Sequence, residues 1–213
     1  PLTSLKAYVQ LLSMKAKQSN NLFTLKSLVK VDAQVNKMNK IIRSFLDLSR
    51  LESGKIFLDK EIFIIDELLH EIVDEVSITD KTHTILFAPC EPLEVNADRE
   101  KIGQVINNLL SNAIKYSPLH TTVNIECKMV NKEVLVSVSD EGVGLSNGDM
   151  AKIFGRFYRV KNEQLKTVSG FGIGLYISAE IIKRHGGQIW VESKAGEGSV
   201  FHFSLPTLAP QKH

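Results

Sequence analysis

Gln104-Val105-Ile106-Asn107-Asn108-Leu109-Leu110-Ser111-Asn112-Ala113-Ile114-Lys115-Tyr116 reads as most of a helix over Asp98–Tyr116. Ser117-Pro118 closes it, because the residue before a proline avoids the helical region. Asn108 and Asn112 are four apart and share a face, and Lys115 follows one turn beyond Asn112. Asparagine is a middling helix former, so Asn107, Asn108 and Asn112 in one helix ask for a reason. An exposed polar face is one reason. A carboxamide oxygen on Mg²⁺, with a lysine at a triphosphate, is another.

Strand-like segments surround this helix. Thr121–Val130 and Glu133–Ser139 alternate, joined at Asn131-Lys132 as a tight hairpin. Lys55–Ile64, His83–Ala88, Leu93–Asn96, Gln188–Glu192 and Ser199–Leu205 supply further strands. Asp66–Ile78, with Asp66 as N-cap, and Ile173–His185, stopped by Gly186-Gly187, supply further helices. Such interleaving predicts an α+β class: a two-layer sandwich with a mixed, mostly antiparallel sheet on one side and helices on the other.

Two glycine motifs sit at the ends of these elements. Asp140-Glu141-Gly142-Val143-Gly144 follows a strand and by itself is compatible with a plain turn. Gly170-Phe171-Gly172-Ile173-Gly174-Leu175 opens a helix, where glycines let backbone N–H groups approach a phosphate favoured by the helix dipole. No βαβ unit surrounds it and no Gly-Lys-Ser/Thr follows, so neither a dinucleotide fingerprint nor a P-loop fits.

Residues 1–53 differ from the rest. They carry nine basic and three acidic residues, a net +6 in a chain whose total is +2, which leaves −4 for the other 160. Leu2, Leu5, Val9 and Leu12, then Leu28, Val31, Val35, Met38, Ile42 and Phe45, step by threes and fours as a bundle seam. The break at Gln18-Ser19-Asn20-Asn21 predicts an antiparallel hairpin, ended by Ser53-Gly54. About 50 residues make a poor core alone, so the hairpin should pair with a second copy as a four-helix bundle, the favoured arrangement, or pack on the rest of the chain. Its lysines read as a solvated face.

Over 213 residues, 43% apolar and 23% charged composition argues against disorder and fibrous repeats. No apolar run approaches the roughly 20 residues of a membrane span, and the small net charge disfavours nucleic acid. Cys90 and Cys127 lack metal or redox spacing and read as small buried or half-buried residues. The six histidines read as ordinary surface or core positions.

In chain order the Asn-x-x-x-Asn helix, Asp-x-Gly-x-Gly, Phe154-Gly155-Arg156-Phe157-Tyr158-Arg159 and Gly-x-Gly-x-Gly-Leu resemble the N, G1, F and G2 boxes of sensor histidine kinases. The hairpin resembles that family's dimerisation and histidine-phosphotransfer domain, down to Leu46-Asp47-Leu48-Ser49-Arg50-Leu51-Glu52-Ser53-Gly54. The likeness spans essentially the whole chain. It implies a hairpin at 1–54 and a catalytic ATP-binding domain at 55–213.

By that resemblance Asn112 would bind Mg²⁺, Asn108 would support the metal and phosphates, and Lys115 would contact phosphate. Tyr116 would lie beside adenine. Asp140 would accept from the adenine amino group, with Gly142 and Gly144 closing on the base. Gly170, Gly172 and Gly174, with Leu175, would line the phosphates. A lid between Phe157 and Ser169 would carry Arg159 to the transferring phosphate, with Lys161 and Lys166 as further cations or as plain surface lysines. Phe154 and Phe157 would anchor the lid in the core. The implied cofactors are ATP and Mg²⁺. The implied partners are a second copy through the hairpin and a response-regulator receiver domain. The implied place is the cytoplasm, with any membrane anchor, such as one in the inner membrane, outside these residues.

Two departures stand out. The family's phosphoacceptor histidine lies five residues before a proline that here matches Pro1, so it is expected just upstream. None of His70, His83, His120, His185, His202 and His213 sits in such a box. Phe171 stands where threonine is frequent. In related ATPases a glutamate activates water where Asn108 stands, and a carboxamide cannot serve as that base. The competing readings are a non-catalytic dimerisation and nucleotide-sensing module, and a serine kinase or ATPase of the wider superfamily.

Overall fold

The structure is a computed structural model that describes residues 2–52, 58–160 and 171–207. The chain forms two compact units, Pro1–Lys55 and Ile56–His213.

The first unit is a helical hairpin of α1 (Leu2–Gln18) and α2 (Leu22–Glu52). It turns at Asn20, whose φ of 52° suits asparagine better than most residues. Asn21 Oδ1 accepts a hydrogen bond from Thr24 N at 3.0 Å at the start of α2. Val9, Ala16 and Val35 are buried between the helices. Leu5, Leu12, Val31, Met38, Ile42 and Phe45, all on the predicted seam, stay exposed. The closing Ser53-Gly54 lies outside the described residues.

The second unit layers helices on a sheet. Its strands are β1 (Glu61–Ile64), β2 (Thr84–Ala88), β3 (Glu94–Ala97), β4 (Thr122–Val130), β5 (Glu133–Asp140), β6 (Ile189–Lys194) and β7 (Gly198–Pro206). Its helices are α3 (Ile65–Thr79), α4 (Arg99–Tyr116), α5 (Asn147–Met150) and α6 (Gly174–Arg184). The main sheet runs β2-β4-β5-β7-β6, with β2 parallel to β4 and every other pair antiparallel. β1 and β3 form a separate antiparallel pair. Asn131 and Lys132, with φ of 50° and 66°, make the β4–β5 turn in the left-handed conformation that matches strand twist.

One face of the main sheet carries the core. Val123, Ile125, Val134, Val136, Val138, Phe201, Phe203 and Leu205 alternate inward along β4, β5 and β7 and are buried. Against them α4 lays Ile102, Val105, Ile106, Leu109 and Leu110, α3 lays Leu68 and Leu69, and α6 lays Ile177, Ile181 and Ile182. Cys127 is buried in the same layer on β4, Cys90 is half-buried, and both are free thiols. Burial pushes both thiols above their ordinary value.

Three local expectations change. The strand foreseen at Lys55–Ile64 shrinks to Glu61–Ile64, because its partner β3 ends opposite Glu61 at Ala97. Lys55, Ile56 and Phe57 lie outside the described residues. Asp66 does not cap α3: Ile64 precedes the helix without a side-chain cap, and Asp66 Oδ1 instead accepts from Cys90 N at 3.0 Å. A long-range partner has displaced the local one. Asp98 lies one residue before α4 rather than inside it, and its carboxylate accepts from Lys101 N.

Phe203 has no exposed surface at the centre of the sheet. Phe203→Ala is expected to destabilise the second unit by about 3–5 kcal/mol, read as a lower urea midpoint with an unchanged slope.

Candidate functional site

The site residues gather where α4 meets α6 and where β5 ends. Asn108 Nδ2 donates to Ser178 Oγ at 3.0 Å, and Ser178 is 2% exposed. That bond turns the Asn108 carboxamide so that its oxygen faces Gly174. A Cβ added at Gly174 would lie 2.5 Å from Asn108 Oδ1, so only glycine lets the first residue of α6 sit against the asparagine. Asn112 is half-buried one turn further along α4. Asn107 instead turns back to its own helix, donating to Gly103 O at 3.1 Å.

At the end of α4, Lys115 Nζ donates to the Tyr116 hydroxyl at 3.2 Å and lies 4.7 Å from the ring centroid. The two side chains assigned to phosphate and to adenine are thus in contact with each other. Tyr116 also meets the β5 end through its backbone: a Cβ on Gly142 would lie 2.7 Å from Tyr116 O and 2.6 Å from Asp140 Oδ1. Gly142 N donates to Asp140 Oδ1 at 2.8 Å. Asp140 is 7% exposed. Burial pushes its carboxyl above the ordinary value, against the pull of the Gly142 and Ser199 N–H groups.

Gly144, with φ 64°, is pressed against the Lys194 carbonyl of the β6–β7 turn, and Gly196 N donates to Val143 O at 2.8 Å. Gly172, with φ 68°, backs onto Phe157 and Tyr158. Leu175 is half-buried and Arg159 is exposed. Gly170, Lys161 and Lys166 lie outside the described residues.

Phe154 anchors as expected, edge-on to Phe201 with ring centroids 6.4 Å apart. Phe157 does not: it is 64% exposed with φ 58°. Polar contacts hold its neighbours instead. Tyr158 donates to Asp149 Oδ1 at 2.8 Å, and Arg156 donates to the Tyr176 hydroxyl at 2.9 Å. Sequence reasoning missed Ser178, Tyr176 and Asp149. Ser178 alone left a signal, as a serine amid apolar residues four places after Gly174.

A carboxamide pair suits Mg²⁺, which keeps several waters and takes substrate phosphate oxygens with one or two protein ligands. Among the described residues, no cluster of three or more His, Cys, Asp or Glu could hold a metal by itself. The Asn108 and Asn112 carboxamides are oxygen donors of the kind that could add to the shell of an ion held by phosphates.

The order of these elements and boxes defines a class. The chain belongs to the histidine kinase-, DNA gyrase B- and HSP90-like ATPase family, whose model matches residues 97–209. The His Kinase A (phospho-acceptor) domain model matches residues 1–54, and this pairing is that of sensor histidine kinases. The chain is 33% identical to the sensor histidine kinase WalK of Bacillus subtilis over 100% of its own length and 35% of that protein's. It is 34% identical to the adaptive-response sensory kinase SasA of Microcystis aeruginosa over 97% of its length and 55% of that protein's. It therefore spans about a third to a half of these relatives. The catalytic domain of histidine kinase ThkA, nucleotide-free, superposes with a TM-score of 0.60 at 33% identity, over 70% of this chain and 97% of that one. Full-length ShkA in complex with AMPPNP shares the fold, with a TM-score of 0.73 at 22% identity over 98% of this chain and 46% of that one.

Gly174→Ala is expected to break the Asn108–Ser178 joint and to cost about 1–3 kcal/mol. Thermal unfolding checks the cost, and the amide resonances of Asn108 report the joint.

Proposed function

We propose that residues 55–213 bind Mg·ATP and that the chain passes the γ-phosphate to a histidine N-terminal to Pro1, and thence to a response-regulator aspartate. The observation that carries this reading is the buried Asp140, held by neutral backbone N–H groups against the desolvation of its charge. A carboxylate kept at that cost is explained by a ligand donor such as the adenine amino group.

The geometry supports the other roles in this reading. Tyr116 borders the Asp140 loop through Gly142 and offers a ring beside the base. The first turn of α6 offers backbone N–H groups at a helix start to the phosphates. Asn108, oriented by Ser178, presents its carboxamide oxygen beside that turn, and Asn112, one turn along α4, would supply a second. Bound there, Mg²⁺ would neutralise the phosphate charge and orient the leaving group. Lys115 would release Tyr116 to meet phosphate, and Arg159 would bring a second cation to the transferring group. Asn108 cannot deprotonate water, which favours transfer to a neutral imidazole over hydrolysis.

The exposed seam of the hairpin fits a second copy, so that two hairpins close a four-helix bundle. No described helix is long and apolar enough to cross a membrane. ATP chemistry supports a cytoplasmic setting.

Asn112→Ala and Asp140→Asn should each weaken Mg·ATP binding about ten- to hundredfold, measured by calorimetry, and unchanged affinity in both sinks the reading. The chain extended upstream through the expected histidine should take acid-labile, base-stable label from γ-labelled ATP. Nucleotide binding without label would favour the sensing module.

A further inference from the structure

The far ends of α4 and α6 carry a second joint. His185, which caps α6, is 5% exposed. Its Nδ1 lies 2.8 Å from Ile181 O, an acceptor, so Nδ1 carries the proton and donates. Its Nε2 then accepts from Asp98 N at 2.9 Å. Only the neutral ring with hydrogen on Nδ1 satisfies both bonds. Asp98, 7% exposed, extends the joint. Its Oδ1 accepts from Lys101 N at 3.0 Å in the first turn of α4. Its Oδ2 accepts from Asp59 N at 3.1 Å in the segment leading to β1.

Two joints therefore fasten α6 to α4. On α6 they are seven residues apart, at Ser178 and His185, or about 10 Å. On the α4 side they lie at Asn108 and at Asp98, the residue just before the helix, about 15 Å apart. One joint would let α6 pivot. Two fix the angle at which its first turn meets Asn108 and Asn112.

We propose that neutral His185 is a positioning residue for nucleotide binding: through Asp98 it locks α6 to α4 and fastens both to the segment at Asp59. This rests on the nucleotide-binding reading of the α4–α6 site. A cavity of about 200 Å³ lies beside the ring, where Lys60 approaches from the incoming segment, while β3 and β7 line it with Asn96, Ala97 and Leu205. Among the described residues, Lys60 and Asp98 are the charged groups that act on the ring. Burial lowers the His185 value below its ordinary 6.5, the bond to Ile181 O raises it, Lys60 lowers it and Asp98 raises it. Because the folded value is depressed, the unfolded chain takes up the proton first. The joint's contribution is complete above pH 6.5 and is lost as pH falls through the folded value.

The test compares the whole chain with His185→Gln, whose amide oxygen can accept from Asp98 N without titrating, and His185→Leu, which has no acceptor. Mg·ADP affinity is measured between about pH 5 and pH 7.5, and amide exchange at Asp59 and Asp98 is followed without nucleotide. Titration of the nucleotide and of Asp140 is common to all three proteins and cancels in the ratios. Expected are a steeper loss of affinity at acid pH in the wild type than in His185→Gln. In His185→Leu, affinity should fall about tenfold at neutral pH, with exchange faster by a similar factor at both amides. Matching pH profiles for wild type and His185→Gln overturn the proposal, as do wild-type affinity and exchange in His185→Leu. A wild type that binds no nucleotide overturns the reading beneath it, and the exchange rates tell that failure apart from failure of the joint.

Discussion

The packing of α4 against the sheet on one side and against its neighbour α6 on another is the constraint on which the second unit depends. Ile102, Val105, Ile106, Leu109 and Leu110 are all fully buried, and burying each such side chain contributes about 1.5–3 kcal/mol. The polar joints at Asn108 and Asp98 are worth about 1 kcal/mol each in net stability. Apolar burial therefore holds the helix down, and the hydrogen bonds decide where along the interface it sits. That division matters because apolar contact is non-directional, whereas a nucleotide site needs one rotation and one register of two helices.

Glycine serves two different ends around this packing. At Gly142 and Gly174 the requirement is space: a side chain there would strike Asp140 and Tyr116, or Asn108. At Gly144 and Gly172 the backbone is left-handed as well as crowded, which couples the Asp140 loop to the β6–β7 turn and the α6 start to Phe157 and Tyr158. Gly142, Gly144, Gly172 and Gly174 thus close the fold around the candidate site.

The hairpin obeys a different balance. Among the described side chains, the buried ones, Val9, Ala16 and Val35, are too few for an independent core, while Leu5, Leu12, Val31, Met38, Ile42 and Phe45 of the same seam face outward. The same heptad-like spacing that makes two helices fold back on each other leaves described apolar residues of the seam uncovered, and this asymmetry underlies the second copy proposed above.

Much of this was legible in the residues themselves. The helix over Asn108 and Asn112, the Asn131-Lys132 turn, the break at Gln18–Asn21 and the α+β layering follow from periodicity and turn chemistry, which act within a few residues and leave their mark in order along the chain. Asp98 beside α4 was legible only to within one residue, because a cap and a first helical residue share the same local signals. Tertiary structure alone decided that Asp66 bonds to Cys90 rather than to its own helix, that Phe157 turns outward while Phe154 turns in, and that Ser178 orients Asn108 from 70 residues away. It also decided that His185 and Asp98, 87 residues apart, complete each other. Local sequence sets which backbone conformations are cheap; which buried donor meets which acceptor depends on elements that touch only after the chain has folded.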